Sequence, residues 1–263
     1  MKFFLVVSIS LLISISVWAL APDDAALVGV WLFNEGSGTT VGDMSGNGND
    51  GTIKGDIGWD TNGKFGAAML AKGGGSIDVG DSDSIKTITD AFTVAAWFRV
   101  DADSDTGIRK NGSFLLEDQS ATEPVPDGFS FRVWTDKGIT PGLYGKTELK
   151  QGQWYHIAGT YDGKMVEMYI DGAPESAKGV LADNKFDWAP EWSGTVGAGS
   201  MLQLKFGSES YTGAIDEIVL FSRALSNDEV KALGNGWENL GKATSIDVQG
   251  KLATTWATLK SAR

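Results

Sequence analysis

The sequence predicts an all-β protein, a sandwich or barrel of short antiparallel strands. Three observations point there. The composition is rich in turn and strand residues, with 35 Gly, 12 Phe and 10 Trp in 263 residues. Short extended apolar runs recur along the chain, separated by Gly, Asn and Asp turns. Few long apolar stripes have helical spacing.

In chain order, Leu27 to Phe33 (LVGVWLF) reads as the first strand. Phe92 to Val100 (FTVAAWFRV) is the strongest; it is apolar on both faces, so it belongs at the centre of a sheet covered on both sides. Phe114 to Glu117, Phe129 to Trp134 and Gly142 to Tyr144 follow. Trp154 to Tyr161 and Met165 to Ile170 are joined by Asp162-Gly163, a hairpin turn signal, and Asp171-Gly172 ends the second of them. Leu202 to Phe206 and Gly213 to Phe221 complete the set. One helix is marked by a capping box, Ser226 with Glu229 three residues on; Val230 and Leu233 form its apolar side and Gly234 stops it. In the tail from 237 to 263, Leu252, Trp256 and Leu259 have the spacing of a short docked helix, with a disordered end as the alternative.

The first residues read as an export signal, residues 1–20. Lys2 precedes an uncharged, largely apolar run, and Val17 and Ala19 fit cleavage after Ala19. An uncleaved anchor helix is the alternative. The expected location is therefore outside the cytoplasm, extracellular or periplasmic, with no membrane span once the leader is removed. The net charge of −12 disfavours nucleic acid as a partner, because an acidic surface repels phosphates. There is no Cys, hence no disulfide framework and no Cys nucleophile.

Three stretches, in this order, resemble the LamG-like jelly-roll domains of the concanavalin A-like lectin and glucanase superfamily: VWLFNEGSGTTVGDMSGNGNDG (30–51), QWYHIAGTYDGKMVEMYIDG (153–172) and GAIDEIVLFSRALSNDE (213–229). The resemblance implies a jelly-roll sandwich of two antiparallel sheets over residues 22–236. It also implies a calcium ion between the loop after the first strand and the Asp of the last. On this chain the ligands are then Asp43 and Asp216 by side chain, with Asn47 and Asn49 adding amide or backbone oxygens and Glu35 as a further candidate. The stretch from Asp43 to Gly51 is dense in the hard oxygens calcium takes. By itself it reads first as an Asx-rich turn.

Glucanases of this superfamily need carboxylates at alternate strand positions. Here Asp216 and Glu217 are adjacent, and strict alternation sends them to opposite faces, so no catalytic pair is expected. His156, the only histidine, reads as a strand residue held by hydrogen bonds. For binding, the aromatic loop from Phe186 to Trp192 offers Trp188 and Trp192 for stacking on sugars and Asp187 and Glu191 as hydroxyl acceptors; inward-folded rings are the alternative. Trp134 and Tyr144 are further aromatic candidates. The expected function is a non-catalytic module for carbohydrate or another surface polymer. The alternative is a structural domain with a protein partner.

Overall fold

A computed structural model describes residues 20–102, 107–118, 128–139, 143–175, 196, 204–206 and 211–240. Among these residues two antiparallel sheets contain β1 (Leu27–Trp31), β2 (Thr40–Val41), β3 (Gly51–Lys54), β4 (Ile57–Asp60), β5 (Ala68–Lys72), β6 (Ser76–Gly80), β7 (Phe92–Val100), β8 (Ile108–Lys110), β9 (Phe114–Asp118), β10 (Phe129–Thr135), β11 (Gly138–Ile139), β12 (Leu143–Tyr144), β13 (Trp154–Tyr161), β14 (Val166–Ile170), β15 (Ala173–Pro174), β16 (Leu204–Phe206) and β17 (Thr212–Phe221). Helix α1 (Asp83–Lys86) lies between β6 and β7; α2 (Asn227–Leu233) and a 3₁₀ turn (Trp237–Asn239) follow β17.

The first sheet runs β15-β14-β13-β7-β17-β5-β4, with β1 also paired to β17. The second runs β11-β10-β9-β8-β16-β6-β3-β2, with β12 on β10. The expected sandwich of antiparallel sheets is thus present. Side-chain alternation explains the layering. From β7, Val94, Ala96, Phe98 and Val100 enter the main core, where they meet Phe114, Leu116, Phe129 and Phe131 of the second sheet. Rings meet across the layers, Phe98 on Phe129 at 4.6 Å and Phe92 on Phe114 at 4.9 Å between centroids. Each fully buried side chain of this size contributes roughly 1.5–3 kcal/mol. Gly159 sits where a side chain has no room: a Cβ there meets the Phe131 ring at 2.6 Å.

The first sheet is covered on its other side too. A second cluster joins Val30, Ala95, Ala158, Val219 and Phe221 to Leu225, Val230, Leu233 and Trp237. That is why β7 is apolar on both faces. The Ser226–Glu229 capping box forms as expected, and Val230 and Leu233 are the buried residues of α2. Gly234 remains helical, with φ −60°, and the left-handed residue is Gly236 at φ 91°. Asp171 and Gly172 both have positive φ, the conformation of a tight hairpin turn, and the turn joins β14 to β15. Residues 40–80 hold five strands that hydrophobic pattern did not reveal; these are short, and half-buried or exposed at many positions. Residues 1–19 of the leader and the tail beyond Leu240 lie outside the described residues.

Candidate functional site

The turn after β1 is built around Asp43. Its Oδ1 accepts the N–H groups of Val30 (3.0 Å) and Ser45 (2.9 Å); its Oδ2 accepts the Asn49 N–H (3.0 Å) and the Ser45 hydroxyl (2.7 Å). Asn47 donates through its amide to the Leu27 and Val28 carbonyls. Asn49 is buried, donates to the Val28 carbonyl and accepts from the Ser82 hydroxyl. Glu35 accepts the Gly42 N–H at 2.8 Å. These groups are committed to closing the turn on β1. Asp216 instead accepts the Phe65 N–H at 2.9 Å. Among the described residues no three Asp, Glu, His or Cys side chains gather around one point. Chain donors take both Asp43 oxygens, so that carboxylate does not fit the calcium shell that the resemblance implies, whereas Asp216 keeps its Oδ1 without a partner among the described residues.

Asp216 and Glu217 correct the alternation argument. The β17 register to β7 shifts between Asp216 and Val219, and Glu217 has φ 51°. This is a β-bulge, which places one extra residue between inward positions. Ile215 and Ile218 both enter the main core, so the two acids lie together on the opposite side of the sheet. Glu217 accepts the Trp237 N–H there. Burial raises the Asp216 carboxyl to about 7, with the Glu217 charge adding to the rise while N–H groups oppose it. Burial likewise raises Glu217, with Glu238 adding to it and the Trp237 N–H opposing.

In lateral register with Asp216 lie Trp97 on β7 and His156 on β13. Each of the three has a buried polar atom without a partner among the described residues: Asp216 Oδ1, Trp97 Nε1 and His156 Nδ1. The His156 ring is thus buried, as a strand residue, but its Nδ1 lacks the expected hydrogen bond. Burial, and then the nearby Lys64 charge, push it down to about 4. The Lys64 ammonium stands 3.9 Å from the centre of the Trp97 ring. Beside this row a surface cavity of about 290 Å³ is lined by Asn34, Phe65, Gly66, Glu217, Gly236, Glu238 and Asn239. Asp216 is wholly buried and does not reach it.

The second sheet differs. Phe129, Phe131 and Val133 of β10 enter the core, so Ser130, Arg132 and Trp134 take the face away from it. Tyr144 pairs with Ser130 and Glu117 pairs with Ser130 from the other side, placing both on that face. Trp134, Arg132 and Tyr144 are half-buried. Arg132 donates to the Tyr144 hydroxyl at 2.9 Å, lies 5.9 Å over its ring and stands 3.6 Å from a Glu117 oxygen. The Ser130 hydroxyl donates to Glu117 at 3.0 Å. Leu115 and Arg109 continue the row from Arg132 across β9 and β8. Two rings, two guanidiniums and a carboxylate so share one sheet face. Sequence reading singled out Trp134 and Tyr144 but not Arg132, Glu117 or Arg109; the available signal was in β10, where Ser130 and Arg132 alternate with Phe129, Phe131 and Val133. Trp188, Trp192, Asp187 and Glu191 lie outside the described residues.

Residues 71–231, more than half of the chain, match the family described as the concanavalin A-like lectin/glucanases superfamily. Among solved structures, domain 4 of AbnA, a GH43 extracellular arabinanase from Geobacillus stearothermophilus in complex with arabinotriose, matches at TM-score 0.59 and 21% identity, covering 79% of this chain and 98% of that one. The binding domain of Paraclostridial Mosquitocidal Protein 1 matches at TM-score 0.62 and 17% identity, covering 83% and 54%. Trypanosoma rangeli sialidase in complex with sialic acid matches at 0.55 and 15%, covering 84% and 35%. The chain thus spans nearly all of the arabinanase domain, about half of the toxin domain and about a third of the sialidase. At these identities the likeness is one of fold. No curated protein matches the sequence.

Proposed function

Because this chain belongs to the concanavalin A-like lectin/glucanases superfamily, we propose that it is an exported, non-catalytic module that binds a saccharide on the outer face of its second sheet. The observation that carries the reading is the grouping of Trp134 and Tyr144 with Arg132 and Glu117 on one face. Aromatic rings meet the C–H faces of sugars, while guanidinium and carboxylate groups bond their hydroxyls. A structural neighbour, the arabinanase domain, was solved with arabinotriose, which supports a sugar as ligand.

The non-catalytic part rests on access. Hydrolysis of a glycosidic bond takes two carboxyl groups flanking it. The bulge puts Asp216 and Glu217 on one side, but Asp216 is sealed from the cavity that Glu217 lines. Export rests on the leader at residues 1–20. Fractionation of cells producing the full chain should find it outside the cytoplasm, shortened by the leader.

A glycan array tests the binding. The folded protein should retain at least one saccharide class, and Trp134→Ala and Tyr144→Ala should each weaken retention by about tenfold, the scale of one lost ring contact of roughly 1.4 kcal/mol. Retention of no saccharide by a correctly folded sample overturns the reading.

A further inference from the structure

Arg109 stands out on the same face. It is half-buried, its Nε is shut off from solvent without a partner, and it forms no hydrogen bond or ion pair with a described residue through its side chain. Other arginines of the described chain are engaged: Arg99 with Asp60 and Asp101, Arg223 with Asp24 and Glu229, Arg132 with Tyr144 and Glu117. A partly desolvated guanidinium left unpaired is unfavourable, since it loses hydration and gains no counter-charge. Such a group is retained at a cost unless something outside the chain completes it.

Its surroundings say what that is. In register across the sheet run Arg132, Leu115, Arg109 and Lys205, on β10, β9, β8 and β16. Two guanidinium groups, those of Arg109 and Arg132, thus share one row in a chain of net charge −12. Strands are about 4.8 Å apart, so the row extends roughly 14 Å, the length of about three sugar residues. Arg132 keeps its Nε without a hydrogen bond although Glu117 stands 3.6 Å away. Guanidinium groups bind carboxylate and sulfate through paired N–H donors.

Resting on the saccharide-binding reading above, we infer that the ligand is an acidic polysaccharide whose carboxylate or sulfate groups are taken by Arg109, with Arg132 as the neighbouring cation and Trp134 and Tyr144 under the sugar rings. The surface at large repels polyanions, so an anionic chain is held only where this row offsets that repulsion.

Titration calorimetry tests this with paired polymers: polygalacturonate beside its fully methyl-esterified form, and dextran sulfate beside dextran. The charged member of one pair should bind at least tenfold more tightly than its neutral counterpart, and the pair that does so tells carboxylate from sulfate. Arg109→Gln should reduce that affinity at least tenfold with the melting temperature unchanged or raised, because the residue has no partner to lose. Arg109→Lys should recover part of it. Neutral members binding as tightly as charged ones, or Arg109→Gln leaving charged-polymer affinity intact, overturns the acidic-ligand inference while a neutral saccharide still satisfies the broader reading. Failure of all four polymers overturns the inference, and the glycan array then decides the broader reading separately.

Discussion

Asp216→Asn should change how the stability of this protein depends on pH. The Asp216 carboxyl is buried at the centre of β17 and its folded pKa is raised from 3.8 to about 7. Between those values the folded state holds a proton that the unfolded state has released. The stabilisation associated with the protonated carboxyl is complete below about pH 4 and is lost as pH rises through about 7. Asn cannot ionise, so the variant should lack that loss. Each pKa unit is worth about 1.4 kcal/mol, so variant and wild type should diverge by on the order of 4 kcal/mol across the window, the variant gaining. His156 works the other way. Its folded pKa falls from 6.5 to about 4, so its contribution grows as pH rises from about 4 to 6.5 and masks part of the Asp216 effect in the wild type. Comparison with the variant removes that masking, since both proteins contain His156. Urea denaturation of the two at pH 4, 5, 6, 7 and 8 measures the difference. A gap that stays constant over this range refutes a buried, proton-binding Asp216.

Two further perturbations test the frame around the site. Asp43→Ala removes the acceptor of three backbone N–H groups and one hydroxyl, so it should destabilise by about 2–4 kcal/mol, while a chelator should leave the wild-type melting temperature unchanged; a chelator-induced fall would restore calcium to this turn. Gly159→Val should cost about 1–3 kcal/mol or more by chemical denaturation, because its side chain must displace the buried Phe131 ring; a variant as stable as wild type would mean the two sheets are not packed this closely there.

Much of the framework was legible because its signals are local. The capping box of α2 needs only Ser226 and Glu229, and the Asp171-Gly172 turn needs only two residues that tolerate positive φ. The central strand was legible because β7 is covered on both sides and so alternates between apolar and apolar. The strands between residues 40 and 80 were not, since β3, β4 and β6 are short and few of their positions are buried, which leaves little alternation to read. The bulge at Asp216–Glu217 was missed for a related reason. A non-glycine residue at positive φ is set by tertiary context: the Phe65 and Trp237 N–H groups that meet the two carboxyls come from separate segments, one before β17 and one after it. The Asx turn illustrates the converse, since its ligand-rich composition is accounted for by its own backbone donors.

The two sheets have divided their tasks, and this bears on where a ligand can sit. The first sheet has no free face at its middle. One side is the main core, and the other lies beneath α2, Leu225 and Trp237, with the cavity at Glu217 at its border. Covering it buries polar groups, and three residues there, His156, Trp97 and Asp216, each keep an atom without a hydrogen-bond partner among the described residues. In β8, β9 and β10 of the second sheet, the face away from the core holds Arg109, Leu115, Arg132 and Trp134 at half-buried positions, with Ser130 and Glu117 buried among them. On the proposed reading, a ligand that needs several contacts along an extended row finds them on this sheet. The Glu217 cavity, about 290 Å³, admits at most a short portion of such a chain.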